Sequence, residues 1–205
     1  MFDAKLRPFI DPPLNAMGHR LAASGIGANG VTLAGLLCGL GAGLAIAHHQ
    51  FGLGLALILF SRLLDGLDGA IARATQPSDF GGYLDIVADF GFYVAVPIGF
   101  GFADADNLRS ALLLIAAFTL TGISFLAFAV IAAKRGMATE AHGQKSFFYS
   151  TGLAEGAETI AVFALMCLLP AYFPAIAALY AALCLITVLQ RTYAAHAIFH
   201  DGDLQ

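Results

Sequence analysis

Residues 65–89 read DGLDGAIARATQPSDFGGYLDIVAD. The stretch holds Asp65, Asp68, Asp79, Asp85 and Asp89, with Arg73 as its single cation. Strongly apolar runs flank it on both sides. It concentrates carboxylates in a chain that otherwise avoids charge.

The chain has 205 residues, 59% of them hydrophobic and 12% charged, and its mean hydropathy is +0.80. A water-facing domain of this length needs more charged surface. The composition therefore predicts an all-α integral membrane protein, a single membrane domain over residues 1–205. Six apolar runs predict transmembrane helices at roughly 31–48, 51–72, 82–103, 109–133, 148–169 and 174–197. Several connections are too short to leave room for a water-soluble domain, so neighbouring spans run antiparallel. Before them, residues 12–25 are too polar to cross. Leu14, Met17 and Leu21 recur there at helical spacing, which predicts a short amphipathic interfacial helix. Cys38, Cys167 and Cys184 sit singly in apolar runs and read as small buried hydrophobes. No cleavable signal peptide is expected, since the first thirty residues lack a continuous apolar core.

Placing both termini in the cytoplasm puts Lys5, Arg7, Arg20, Arg73, Lys134, Arg135, Lys145 and Arg191 at or near that side. Arg109 falls outside and Arg62 within a span. The positive-inside rule favours this orientation. It predicts an inner- or plasma-membrane protein with the acidic stretch facing the cytoplasm. No nucleic-acid partner is expected.

Asp65 and Asp68 share one helix face by their spacing, and so do Asp85 and Asp89. The connection between them contains Pro77, Gly81 and Gly82, expected to break the helix, with Asp79 a candidate cap of the next one. Two antiparallel helices joined this way bring four carboxylates to one depth. Such a group repels itself in a low dielectric unless protons or cations join it. Hard divalent cations, Mg²⁺ or Mn²⁺, prefer oxygen ligands. A two-metal site with the ions about 4 Å apart suits phosphate chemistry. The glycines leave room for a ligand against backbone, and Arg73 offers a forked phosphate donor.

The run Asp65, Asp68, Gly69, Ala72, Arg73, Gly81, Asp85, Asp89 resembles the signature of the CDP-alcohol phosphotransferases. That signature is D-x-x-D-G-x-x-A-R, seven or eight residues, then G-x-x-x-D-x-x-x-D. All eight fixed positions match, with seven residues between Arg73 and Gly81. The resemblance implies an enzyme of phospholipid biosynthesis. A CDP-linked donor, such as CDP-diacylglycerol, passes its phosphatidyl or other phosphoalcohol group to an alcohol acceptor and releases CMP. It implies metal ligation by Asp65, Asp68, Asp85 and Asp89, with Asp89 also the general base. It implies a CMP cradle from Gly69, Ala72, Arg73 and Gly81, joined by Asn29 and Thr32 in GANGVT (27–32), where Ala28 replaces the family's usual proline. A homodimer is the expected assembly.

The acceptor region departs from the family. Members using sugar- or glycerol-phosphate acceptors usually carry paired arginines near the start of span five, where this chain has Glu155, Gly156, Glu158 and Thr159. Candidate acceptor residues are Lys134, Arg135, Lys145, Glu155 and Glu158. Buried acids also suit a divalent-cation transporter. Against that stand the position of the acids at one end of the spans, and Arg73 with its glycines.

Overall fold

A computed structural model describes the backbone of residues 3–136 and 154–201, and the side chains of residues 8–136 and 154–200. Among these residues the chain is helical, with no strand. Its α-helices are α1 (Asp3–Ala23), α2 (Ala28–Ala47), α3 (Phe51–Ala74), α4 (Asp79–Ala103), α5 (Leu108–Lys134), α6 (Gly156–Leu168) and α7 (Phe173–Asp201). Single 3₁₀ turns at Ala105–Asn107 and Pro170–Tyr172 precede α5 and α7.

Four segments are long and apolar enough to cross a membrane: Ala28–Ala47, Asp79–Ala103, Ala105–Lys134 and Pro170–His200. Helix α3 is as long as these, but carries Arg62, Asp65, Asp68 and Arg73. Helix α6 is apolar but only 13 residues long. The expected start of that span, 148–153, lies outside the described residues, and so does Lys145.

Helix α2 forms the spine of the site. Gly35, Gly39 and Gly43 fall four apart, so they share a face, and all three are buried. A Cβ on Gly39 would lie 2.9 Å from Phe92 Cδ2 of α4, and one on Gly43 would overlap the Ala95 carbonyl. Gly99 in turn meets the Gly43 backbone. Small residues at this spacing let helix backbones approach directly, which is how packing holds helices together where lipid supplies no hydrophobic drive. On its other side α2 receives α3, with the Ser61 hydroxyl donating to the Gly35 carbonyl at 2.8 Å. The two acid-bearing helices therefore pack on one neighbour.

An aromatic core fills the far half of the bundle. Phe100 stacks on Phe173 at 4.4 Å, and Phe163 meets Phe92 and Phe118 edge-on at 5.6 and 5.8 Å. These rings tie α4, α5, α6 and α7 together. The turn from α2 to α3 is as tight as its sequence predicts, and His49 enters the left-handed region at φ 59° to close it.

Three local expectations change. Gly81 and Gly82 do not break the chain; they lie in the first turns of α4. Ser78, not Asp79, caps that helix: its backbone is extended (φ −127°, ψ 151°) and its hydroxyl accepts from the Gly81 N–H at 3.0 Å. Asp79 follows as the first helical residue. The leading helix also starts nine residues earlier than its amphipathic pattern indicates and runs through Pro8, Pro12 and Pro13. It packs on α3: a Cβ at Gly18 would lie 2.6 Å from Ala70 Cβ, and one at Gly66 would lie 2.8 Å from Leu14 Cδ1.

Candidate active site

The antiparallel α3 and α4 bring three of the four expected carboxylates together. One oxygen from each of Asp65, Asp68 and Asp85 lies within 4.8 Å of the others. Asp65 is half-buried, while Asp68 is only 5% exposed. Asp68 Oδ2 is buried with no hydrogen-bond partner. An unpartnered carboxylate oxygen inside a protein is costly, and a cation is the direct remedy. The all-oxygen donor set fits a hard divalent ion.

Asp89 is engaged by an arginine. Its Oδ1 accepts from Arg62 Nη1 at 2.6 Å, whereas the same nitrogen is 3.5 Å from Asp65 Oδ1. Asp89 is also the leading like-charge neighbour of Asp65 and of Asp85. Arg62 Cζ lies over the Phe92 ring, 4.0 Å from its centre, and its Nη2 is 3.3 Å from Ser61 Oγ. Arg62 therefore bridges mainly to α4, with Asp65 of its own helix the more distant acid.

The expected cradle residues gather at the same end. Arg73 folds back along α3, so that a Cβ on Gly69 would lie 3.2 Å from its Nη1, and its Nη2 donates to Asn15 Oδ1 of α1 at 2.9 Å. Ala72 is half-buried on the turn before Arg73. A Cβ on Gly81 would lie 3.1 Å from Asn29 Oδ1, so the start of α2 meets the start of α4. Thr32 is buried; its hydroxyl donates to the Ala28 carbonyl at 3.1 Å, and it neighbours Asp68.

The acceptor candidates are scattered. Lys134 is exposed at the end of α5. Arg135 donates to the Phe199 carbonyl at 2.7 Å and covers that ring, so it is engaged with α7. Glu155 is the residue before α6, and its carbonyl accepts from Thr159 N and Oγ1 at 3.0 and 2.8 Å. Glu158 is half-buried in the first turn of α6. The next residue, Thr159, pairs with the Tyr180 hydroxyl at 2.7 Å. Arg191 donates to the Thr121 carbonyl at 3.2 Å and lies within electrostatic reach of Glu155.

Four neighbours of the site were not singled out by sequence: Ser61, Phe92, Tyr93 and Asn15. A Cβ on Gly156 would lie 3.8 Å from the Tyr93 hydroxyl. Helix α6 thus begins level with Tyr93, one turn beyond Asp89. The one available sequence signal was Arg62 itself, a cation inside an apolar run, which asks for a partner.

The sequence pattern of the CDP-alcohol phosphatidyltransferase family matches residues 26–193, most of the chain. The chain is 43% identical over 197 residues to the inner membrane protein YnjF of Escherichia coli, covering 96% of each. It is 39% identical over 87 residues to the archaetidylinositol phosphate synthase of Pyrococcus horikoshii, covering 42% of this chain and 46% of that one. Its fold is similar to a crystal structure of Mycobacterium tuberculosis phosphatidylinositol phosphate synthase with CDP-DAG bound. There the TM-score is 0.65 at 22% identity, over 89% of this chain and 93% of that one. A second structure of that enzyme, with manganese and citrate, gives the same TM-score at 23% identity, over 89% and 88%. From the motif, the arrangement of its carboxylates and these matches, the chain belongs to the CDP-alcohol phosphatidyltransferase family.

Proposed function

We propose that this protein transfers a phosphoalcohol group, most simply phosphatidyl, from a CDP-linked lipid to a small polar alcohol and releases CMP. The observation that carries the reading is the convergence of Asp65, Asp68 and Asp85, with Asp68 Oδ2 buried and unpartnered. The relatives add to it: one fold neighbour is described with CDP-DAG bound and again with manganese.

Asp65, Asp68, Asp85 and Asp89 would hold Mg²⁺ or Mn²⁺, as a pair of ions. Bound there, the metal supplies Lewis-acid charge for the pyrophosphate oxygens. The protein's own groups do the rest. Arg73 and the bare faces of Gly69 and Gly81 receive the CMP part, with Asn29 and Thr32 on the facing helix. Asp89 takes the proton of the acceptor hydroxyl as that oxygen attacks the phosphorus beside the lipid. A new P–O bond forms, the P–O bond to CMP breaks, and CMP leaves with the electron pair.

In the bilayer α3 and α6 complete six crossings. Helix α3 tolerates its charges because they face the site rather than lipid. Helix α1 lies at the cytoplasmic interface, and both termini and the site face the cytoplasm. The assembly is a homodimer. Glu155 and Glu158 stand where phosphate-binding arginines would favour a phosphorylated acceptor. An uncharged polyol or amino alcohol suits them better, with Lys134 and Lys145 as outer attraction for anions.

The test uses purified protein in lipid nanodiscs with Mg²⁺ or Mn²⁺, labelled CDP-diacylglycerol and a panel of acceptors. The panel holds inositol phosphate, glycerol phosphate, serine, choline, ethanolamine and inositol. Metal-dependent CMP release with one of them establishes the activity and names the product. Absence of both CDP and metal binding refutes the reading.

A further inference from the structure

Tyr93 continues the face of α4 that carries Asp85 and Asp89, in steps of four residues. Its ring is held by the aromatic core, with centres 5.4 Å from Phe92, 5.8 Å from Phe118 and 6.4 Å from Phe90. The residue is still only half-buried. Its hydroxyl makes no hydrogen bond among the described residues, although a packed tyrosine usually finds one. The groups in electrostatic reach of that hydroxyl include Asp89, Arg62, Asp65 and Tyr180.

The other hydroxyls at this level are already spent. Thr159 Oγ1 donates to the Glu155 carbonyl at 2.8 Å, so the Tyr180 hydroxyl, 2.7 Å away, donates to Thr159. Tyr93 alone of the three keeps its proton and lone pairs for another molecule. Space for one lies opposite, at the start of α6. A Cβ on Gly156 would meet the Tyr93 hydroxyl at 3.8 Å, and no other described atom beyond its own helix turn within 4 Å.

We propose that Tyr93 binds the acceptor, its hydroxyl pairing with a second hydroxyl of that molecule in the space beside Gly156 while the reacting hydroxyl lies at Asp89. The acceptor is then a polyol. This deepens the transferase reading and rests on it for the role of Asp89. One helical turn, about 5.4 Å, separates Asp89 from Tyr93, a span that a small polyol bridges with a hydroxyl at each end. A phenol both donates and accepts, which suits another hydroxyl; a quaternary ammonium offers it no hydrogen bond.

The first readout is kinetic, in nanodiscs with Mg²⁺ and CDP-diacylglycerol. Y93F keeps the packed ring and removes only the hydroxyl. The acceptor KM is expected to rise about tenfold, with the donor KM and kcat within about twofold. Thermal unfolding stays where it is, since the lost hydroxyl had no partner in the protein. G156A fills the facing space and is expected to raise the acceptor KM at least about threefold. An unchanged acceptor KM in either variant overturns the proposal. So does wild-type turnover confined to serine, choline or ethanolamine, none of which carries a second hydroxyl.

The second readout needs no turnover. With 3-fluorotyrosine at position 93, the fluorine resonance is followed by NMR in the presence of Mg²⁺ and CMP. Inositol, inositol phosphate and glycerol phosphate are titrated in turn, with choline as the control. At least one of the three is expected to shift the resonance and choline to leave it in place. No shift with any of the three, or an equal shift with choline, overturns the proposal. Should the wild-type protein turn over no acceptor, the transferase reading fails, and the fluorine titration still decides whether Tyr93 meets a polyol.

Discussion

The Asn15 side chain of α1 accepts a 2.9 Å hydrogen bond from the Arg73 guanidinium of α3. A helix that leads into the membrane domain thereby aims a residue of the expected nucleotide cradle. Asn15→Ala removes the aim and leaves the charge. The donor KM is expected to rise about fivefold, the worth of one such hydrogen bond, with kcat within about twofold. Steady-state CMP release against donor concentration checks it; an unchanged KM removes Asn15 from the site.

Asp68 carries the strictest metal prediction, because it is buried and one of its oxygens has no protein partner. Asp68→Asn keeps the shape and removes the anion. Mn²⁺ binding and CMP release should each fall at least about 100-fold, the upper end seen for groups one step removed from a metal. Chelation of the wild-type protein should stop turnover, and added Mg²⁺ or Mn²⁺ should restore it. Turnover that persists in chelator contradicts the metal role.

Asp89→Asn tests the other carboxylate. Asp89 is held by Arg62 at 2.6 Å; CDP affinity should stay within about threefold while transfer falls roughly 100-fold or more. Calorimetric CDP titration beside the CMP-release assay separates these. Full activity in this variant would falsify the general-base role.

Gly43 tests the scaffold. A Cβ there overlaps the Ala95 backbone, which cannot swing aside as a side chain tip can. Gly43→Ala should destabilise the folded protein by about 1–3 kcal/mol, the usual cost of overpacking. Gly52→Ala is the control, because a Cβ there meets nothing within 4 Å. Thermal unfolding in detergent should show a drop for the first and none for the second.

The site was legible where local spacing decides. Asp65, Asp68 and Asp85 could be placed together because a three-residue step and a short connection leave antiparallel helices little choice. Asn29 near Gly81 followed from the motif resemblance and not from spacing. Arg62 was not legible in the same way. A sequence offers it Asp65, three positions on; only the register of α3 against α4, set through α2, gives it Asp89. The start of α4 turned on a similar ambiguity, since Ser78 and Asp79 are both good caps and only the extended backbone at Ser78 distinguishes them. The first half of α1 was hidden by three prolines, which discourage a helical reading even though tertiary context can override them.

Gly35, Gly39 and Gly43 give α2 the character of a gauge block. At Gly43 the approach of α2 to α4 is set by main-chain dimensions, since the nearest atoms are those of the Ala95 carbonyl. Rotamer changes can alter a spacing built from side chains, but a contact between peptide groups offers them nothing to move. Carboxylates mounted on either side inherit that tolerance, so part of the candidate site's dimensions is machined into the backbone.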